Sequence, residues 1–214
     1  MNPSRLSPLQ RDLLEAFFRR EERFFLSGGA ALAGYYLGHR DTADLDLFTT
    51  SDVLTEGIAA LCAAAAEIGA SVENIQTAPD FRRRLVRREP EGVLVDLIRE
   101  HAPQGSAPKR QFGLVRVDPP EEILVNKHCT LLSRAEVRDL VDMLALERAG
   151  YHMEDAIPLA CCKDAGLTPA QLAWVLSRTV IGDDAKVPGG LSPGELRSYL
   201  SDLIVRLTRL SFPR

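Results

Sequence analysis

The chain has 214 residues, a net charge of -4 and a pI of about 5.6. Hydrophobic residues make up 45% of it, enough to bury a core, so a chain disordered by composition is excluded. An acidic protein is poorly suited to coat a long duplex, but one basic patch would serve a short contact to RNA or to a nucleotide. The length suits one globular domain of ordinary size, with or without a small appendage.

The four cysteines predict no zinc site, because none of them belongs to a C-x-x-C pair and an adjacent pair points in different directions on a helix. They are Cys62, Cys129, Cys161 and Cys162. The first residues are too polar for a signal peptide, and no apolar run is long enough to span a bilayer. We therefore expect a cytoplasmic protein with reduced thiols and no membrane partner.

The first half of the chain alternates between helix and strand patterns. Apolar residues at helical spacing predict a helix near the start, and an alanine-rich stretch that ends at a glycine predicts another. Pro90, Glu91 and Gly92 supply the turn of a hairpin between two later strands. The predicted helices cover 8–21, 30–37 and 52–69, and the predicted strands cover 23–27, 44–49, 71–77, 81–88, 92–99 and 111–117.

From Pro119 onward the pattern becomes helical. The Pro-Pro-Glu-Glu segment at 119–122 predicts a helix start. Ser133 and Glu136 form a capping-box pattern, which predicts a second helix from there to about Gly150. Thr-Pro and Ser-Pro pairs at 168 and 192 predict the starts of two further helices.

Strands early and helices late indicate an α+β protein with a mixed sheet flanked by helices and a helical C-terminal portion. We accordingly divide the chain into a core with the sheet over 1–118 and a helical portion over 119–214.

The stretch 25–49, FLSGGAALAGYYLGHRDTADLDLFT, combines two features that are ordinary when they occur alone. A Gly-Gly pair is usually a turn, and Asp-x-Asp is usually a solvated strand face. Glycines, however, let backbone N–H groups approach a phosphate, and the N-terminus of a following helix adds positive potential. Asp44 and Asp46 share one strand face, where two carboxylates can hold divalent metals. Oxygen ligands and a phosphate-bearing substrate favour magnesium.

This stretch resembles the AbiEii-type nucleotidyltransferases, toxins of type IV toxin–antitoxin systems. Their polymerase-beta-like motif consists of Gly-Gly, a short helix, an Arg and Asp-x-Asp, followed later by a Lys on a helix, an Arg-Asp pair and another Asp. The matching residues are Gly28, Gly29, Arg40, Asp44, Asp46, Lys127, Arg138, Asp139 and Asp142. Many relatives have Thr or Ser after the Gly-Gly, where this chain has Ala30; Ser27 is the residue that would substitute.

The resemblance implies a polymerase-beta-like nucleotidyltransferase fold, in which the helical portion packs on the core and completes the active site. It also implies transfer of a nucleoside monophosphate from a nucleoside triphosphate to an acceptor hydroxyl, with Mg²⁺ or Mn²⁺ as cofactor. The implied acceptor is RNA, such as a tRNA 3′ end, and the implied role is that of a toxin with a cognate antitoxin protein. Transfer to an aminoglycoside-like small molecule or to a protein, and a non-catalytic nucleotide-binding module, remain alternatives.

Further site residues follow from the resemblance, each with a structural alternative. Asp96, in the strand-like segment VLVDLI, resembles the third carboxylate that activates the attacking hydroxyl, or it forms a salt bridge with an Arg of the hairpin partner strand. Lys127 would contact the triphosphate, or extend to solvent. Asp142 would support the same site, or form a helix-surface pair with Arg134 or Arg138. Arg40 would hold a phosphate, or bridge Asp41.

The sequence therefore predicts a site of nine residues in three roles. The catalytic residues are Asp44, Asp46, Asp96, Lys127 and Asp142; the metal ligands are Asp44, Asp46 and Asp96; the nucleotide-binding residues are Ser27, Gly28, Gly29, Arg40 and Lys127.

Five arginines crowd into the predicted strand 81–88. Alternation puts one set on each face, namely Arg82, Arg84 and Arg88 on one and Arg83 and Arg87 on the other. If RNA is the acceptor, we expect the first set to contact its phosphates. The alternative is a solvated edge strand.

Overall fold

The computed structural model describes residues 5–105 and 108–212. They form two compact units, the first over 5–101 and 108–119 and the second over 102–105 and 120–212. Within these residues, no helix has both the length and the apolar character needed to cross a membrane.

A mixed seven-stranded sheet forms the centre of the first unit. Its strands are β1 (Phe25–Ser27), β2 (Asp44–Thr49), β3 (Ser71–Ala78), β4 (Phe81–Arg88), β5 (Glu91–Arg99), β6 (Arg110–Phe112) and β7 (Val115–Val117). They are arranged in the order β3-β4-β5-β2-β1-β7-β6. Strands β2 and β5 pair in parallel, as do β1 and β7, and the remaining neighbours are antiparallel. The predicted α+β class is thus confirmed.

Two helices, α1 (Pro8–Phe18) and α3 (Leu54–Glu67), cover one face of this sheet. Helix α1 begins with a capping box in which Ser7 and Gln10 exchange hydrogen bonds. The covered face is apolar, because period-two alternation points leucine and valine side chains of β2 and β5 toward the helices. These buried residues are Leu45, Leu47, Val93, Val95 and Leu97. A short helix, α2 (Gly28–Ala31), continues into a π-helix over Leu32–Tyr36.

The second unit is helical. Its helices are α4 (Pro120–Ser133), α5 (Val137–Arg148), α6 (Met153–Lys163), α7 (Pro169–Ser177) and α8 (Pro193–Ser211), with a 3-10 helix over Pro188–Gly190. Thr168 caps α7, and Ser192 with Glu195 forms a capping box at the start of α8, as the Thr-Pro and Ser-Pro pairs predicted. Helix α4 contacts α5, α6 and α7, and α7 packs along α8.

Two predictions about local structure were wrong, and one helix was not anticipated. The strand expected over 111–117 is the hairpin β6–β7, because Gly113 adopts a φ of 59° and turns the chain. Ser133 caps no helix: its hydroxyl donates to the carbonyl of Thr130, 2.9 Å away in α4, and α5 begins later with Glu136 as N-cap. Helix α6 was not predicted, since Pro158 interrupts its helical pattern.

Gly57 lets α3 approach the sheet. A Cβ atom at this buried helical position would come within 2.8 Å of side-chain atoms of both Phe24 and Leu97. Gly57→Ala should therefore lower the free energy of unfolding by about 1–2 kcal/mol, because overpacking outweighs the better helix propensity of alanine. Urea unfolding measures this effect.

Gly92→Ala is the matched control in the same unit. Its Cβ would meet nothing closer than 3.8 Å, at the Leu85 side chain, so stability should hold or rise. Equal stability of the two variants would contradict close packing at Gly57.

Candidate active site

A row of polar residues crosses the sheet on the face opposite α1 and α3. The register places Ser27 of β1 beside Asp46 of β2, Asp46 beside Asp96 of β5, and Asp96 beside Arg83 of β4. Directly paired residues point to the same face of a sheet. Asp44 lies on this face as well, two residues before Asp46. Parallel pairing of β2 with β5 thus brings together the three carboxylates that the sequence singled out.

The two glycines make room for charged side chains. Gly28 has a φ of 66°, and a Cβ atom there would overlap the carboxylate of Asp46. A Cβ atom on Gly29 would overlap the guanidinium of Arg40. The Gly-Gly turn therefore lies directly against the second Asp of the Asp-x-Asp pair and against the buried Arg40. This packing gives a physical reason why the Gly-Gly pair, the arginine and the Asp-x-Asp pair occur in one segment of the chain.

Arg40 and Asp44 are each held by neighbouring groups. Arg40 Nη1 donates to the backbone carbonyl of Asp41 at 3.0 Å, whereas the carboxylate of Asp41 lies 3.7 Å from Arg5. The hydroxyl of Thr42 donates to Asp44 Oδ1 at 3.0 Å. Thr42 was not among the predicted site residues, although a hydroxyl residue two positions before a predicted metal ligand was the available signal.

Asp96 forms a bidentate ion pair with Arg83. Arg83 Nε and Nη2 donate to the two carboxylate oxygens of Asp96 at 2.8 and 2.6 Å. The pair raises the pKa of the Arg83 guanidinium, chiefly through its hydrogen bonds to Asp96 and further through the charges of Asp96, Asp46 and Asp44. The salt bridge considered as an alternative for Asp96 is therefore present, and its role as a metal ligand stays a prediction.

The carboxylate face suits a magnesium ion that arrives with a nucleotide. Within residues 5–105 and 108–212, no three His, Cys, Asp or Glu side chains form a ready-made metal site. Magnesium, however, is usually held by one or two carboxylates together with substrate phosphates and water. Asp44 and Asp46 are only half-buried and one pleat apart, so they could supply such a pair of oxygen ligands.

The arginines expected to contact RNA lie on the other face of the sheet. Arg82 and Arg84 pair in register with Leu97 and Val95, which face α1 and α3. Arg88 donates to Asp12 of α1 at 2.8 Å. Arg83 and Arg87 are the arginines of β4 that share the face of the carboxylates. Contact of the first set with RNA phosphates stays a prediction, and it would occur on the opposite face of the sheet.

In the second unit, Lys127 is buried between two carboxylates. Lys127 Nζ lies 2.9 Å from Asp139 Oδ1 and 2.5 Å from Asp142 Oδ2. Only 8% of the lysine side chain is exposed, and both aspartates are fully buried. Arg134 Nε adds a hydrogen bond of 3.2 Å to Asp139. The alternative of a lysine that extends to solvent is therefore wrong. The alternative of a pair with Arg134 is present at Asp139, but both aspartates are buried rather than on the helix surface.

The opposite charges of this cluster keep its members ionised although they are buried. Burial alone would lower the pKa of Lys127, but Asp142 and Asp139 outweigh it and the net shift is upward. Burial alone would raise the pKa of Asp139, but Lys127 and Arg134 outweigh it and the net shift is downward. Lys127 and Asp139 are therefore charged at neutral pH.

A second buried lysine pair in this unit was not anticipated. Lys163 Nζ pairs with Glu122 and donates to Asn126 Oδ1 at 2.7 Å, and the backbone N–H of Gly105 donates to Glu122 at 2.7 Å. Lys163 and Glu122 lie 41 positions apart in the chain, so no local pattern could reveal the pair.

An Asp-x-Asp strand beside a Gly-Gly turn, in a mixed sheet with helices on one face, defines the polymerase-beta-like nucleotidyltransferase class. The family model described as "Nucleotidyl transferase AbiEii toxin, Type IV TA system" matches residues 12–174. The chain belongs to this family. Its activity is therefore nucleotidyl transfer, and membership implies a nucleoside triphosphate substrate and a cognate antitoxin. The resemblance noted in the sequence is confirmed.

Solved structures share the fold. JHP933 from Helicobacter pylori aligns with a TM-score of 0.60 and 20% identity over 95% of this chain and 90% of its own. MenT4, a nucleotidyltransferase toxin from Mycobacterium tuberculosis H37Rv, aligns with a TM-score of 0.59 and 17% identity over 94% of this chain and 82% of its own. No curated protein matches the chain.

The pKa shifts of the Lys127 cluster predict how stability depends on pH. The lowered pKa of Asp139 contributes stability that is present above its ordinary value and is lost as pH falls through the folded value. The raised pKa of Lys127 contributes stability that is present below its ordinary value and is lost as pH rises through the folded value. The contribution should therefore be complete only between about pH 4 and about pH 10.

Asp139→Asn should lower the free energy of unfolding by about 3–5 kcal/mol at neutral pH and flatten its fall in acid, because one partner of a buried cluster is lost. Urea unfolding between pH 3 and pH 7 measures both effects. Asp155→Asn, an exposed aspartate of α6, is the control and should change little. Equal effects of the two substitutions would contradict the cluster's role.

Proposed function

We propose that the protein uses Mg²⁺ or Mn²⁺ to transfer a nucleoside monophosphate from a nucleoside triphosphate to the hydroxyl of an RNA 3′ end. The observation that supports this most is the alignment of Ser27, Asp46 and Asp96 in one row across the sheet, with Gly28 directly against Asp46. This row offers oxygen ligands for a metal beside glycine backbone that a phosphate can approach.

Asp44, Asp46 and Asp96 would hold the metal, which would neutralise phosphate charge as it develops during transfer. Ser27 ends β1, and Gly28 and Gly29 begin α2 next to these ligands, where their backbone N–H groups would face the phosphates. Arg40, packed against Gly29, adds positive charge behind the same turn. The protein's contribution is positioning and charge stabilisation, as in other phosphoryl-group transfers.

Asp96 is the carboxylate proposed to take the proton of the attacking hydroxyl. The hydroxyl oxygen forms a bond to the α-phosphorus, the bond between the α-phosphorus and the bridging oxygen of the β-phosphate breaks, and pyrophosphate leaves with that electron pair. Asp96 lies beside Asp46 in register, so a hydroxyl directed at a phosphate near Asp46 is within reach of both carboxylates.

Family membership supports the role of a toxin. An RNA acceptor would explain how the toxin acts. A toxin that adds a nucleotide to tRNA 3′ ends would stop translation, and a cognate antitoxin would be needed to prevent this. Nucleoside triphosphates and RNA are both cytoplasmic, so we propose that the protein acts in the cytoplasm.

Asp46→Asn tests the metal site. The substitution keeps the shape of the side chain but removes one anionic ligand, so nucleotide transfer should fall by about 100-fold or more while the circular dichroism spectrum stays unchanged. The assay incubates each labelled nucleoside triphosphate with Mg²⁺ and total RNA and resolves the products on a gel. Induced expression should slow bacterial growth, and the same substitution should relieve it.

Asp41→Asn is the matched control, because Asp41 lies in the same segment but its side chain is 85% exposed. It should keep wild-type transfer. Wild-type transfer by Asp46→Asn would rule out the metal site, and labelling of small molecules but not of RNA would rule out the acceptor.

From the family pattern we propose separately that Lys127 and Asp142 take part in this reaction. Because Lys127 is buried, its test must separate a loss of nucleotide binding from a loss of stability. Lys127→Ala should weaken nucleotide binding by about 10-fold, because a charge-assisted hydrogen bond to phosphate is lost. Lys163→Ala is the matched control, since it also removes a buried lysine from a carboxylate and should destabilise the protein similarly.

Lys186→Ala, at an exposed position, controls for loss of charge alone. Nucleotide binding measured by calorimetry on folded protein decides between the roles. If Lys127→Ala binds nucleotide as tightly as Lys163→Ala and Lys186→Ala, Lys127 has only a structural role.

A further inference from the structure

The ion pair between Arg83 and Asp96 occupies a carboxylate that the proposed reaction needs. Asp96 gives both oxygens to Arg83, and only 7% of its side chain is exposed. Each oxygen still has a free lone pair, but the positive charge of the guanidinium, held directly against a buried carboxylate, disfavours binding of a metal cation there. Metal binding at Asp96 would therefore favour a step in which Arg83 gives up this contact.

Arg83 is placed so that it can move without unfolding the sheet. Its side chain is 38% exposed and lies over the ring of Phe81, with 5.4 Å between the guanidinium carbon and the ring centroid. Nε and Nη2 hold Asp96, and among the described residues no group accepts a hydrogen bond from Nη1. The guanidinium thus has unused donors on the same face as Asp44 and Asp46.

Distance and charge favour a phosphate as its second partner. Arg83 is two strands from Asp46, or roughly 10 Å between backbones, a gap that an extended arginine side chain can largely span. The charges of Asp44 and Asp46 already act on Arg83 across this gap. A metal bound there would repel the guanidinium, whereas the phosphates that accompany the metal would attract it.

We propose that Arg83 is a further substrate-positioning residue: it occupies Asp96 until a divalent metal takes that carboxylate, and it then binds a phosphate of the nucleotide. This inference rests on the proposed metal-dependent transfer at the carboxylate face. It assigns two opposite effects to one side chain. Arg83 competes with the metal when no nucleotide is present, and it assists binding when the nucleotide is present.

Arg83→Gln should therefore change two affinities in opposite directions. With Mn²⁺ alone as the probe, removing the competing cation should tighten metal binding by on the order of 10-fold. With a nucleoside triphosphate at saturating Mg²⁺, losing the guanidinium should weaken nucleotide binding by about 10-fold. Calorimetry measures both affinities without any need for turnover, and a purely structural role of Arg83 would produce no such reversal.

Arg87→Gln is the matched control, because Arg87 lies on the same strand and face but beside Gly92, away from the carboxylates. It should leave both affinities unchanged. Arg83→Lys should keep metal binding near the wild-type value, because its charge still competes, but should lose bidentate contact. Arg83→Gln combined with Asp96→Asn should lose the gain in metal affinity.

Unchanged or weaker Mn²⁺ binding by Arg83→Gln would overturn the competition, and unchanged nucleotide binding would overturn the phosphate contact. Asp46→Asn separates these results from a failure of the proposed function. If Asp46→Asn leaves Mn²⁺ binding at the wild-type value, the metal site itself is wrong. If Asp46→Asn loses Mn²⁺ but Arg83→Gln gains nothing, only the inference about Arg83 is wrong.

Discussion

The mutual repulsion of three carboxylates is the constraint on which the first unit depends. Asp44, Asp46 and Asp96 lie on one sheet face because β2 and β5 pair in parallel, and neighbouring strands are only about 4.8 Å apart. Like charges at this spacing are unfavourable unless cations offset them. Arg83 supplies such a charge at Asp96.

The same constraint explains the glycines. A charged row needs side chains that approach the backbone closely, and Gly28 and Gly29 leave room for the carboxylate of Asp46 and the guanidinium of Arg40. A larger residue at Gly28 would also be strained at its positive φ. The Gly-Gly pair therefore has a packing role already in the protein alone.

The second unit buries two of its lysines. Lys127 and Lys163 are both buried and both paired with carboxylates in a helical core. A buried ion pair contributes little net free energy to folding, because the cost of desolvating both charges offsets most of their attraction. Loss of one partner is costly, so the cluster of Lys127, Asp139 and Asp142 holds its members in a defined arrangement.

The sequence by itself determined the local features: the Asp-x-Asp strand β2, the Gly-Gly turn, the caps of α7 and α8, and through them the family. These depend on periods of two or 3.6 residues and on short motifs, which neighbouring residues specify. Only the tertiary structure decided that Arg83 pairs with Asp96, that Arg82 and Arg84 face the helices, and that Lys127 is buried. Strand register and helix packing join residues far apart in the chain, and those contacts leave no local pattern to read.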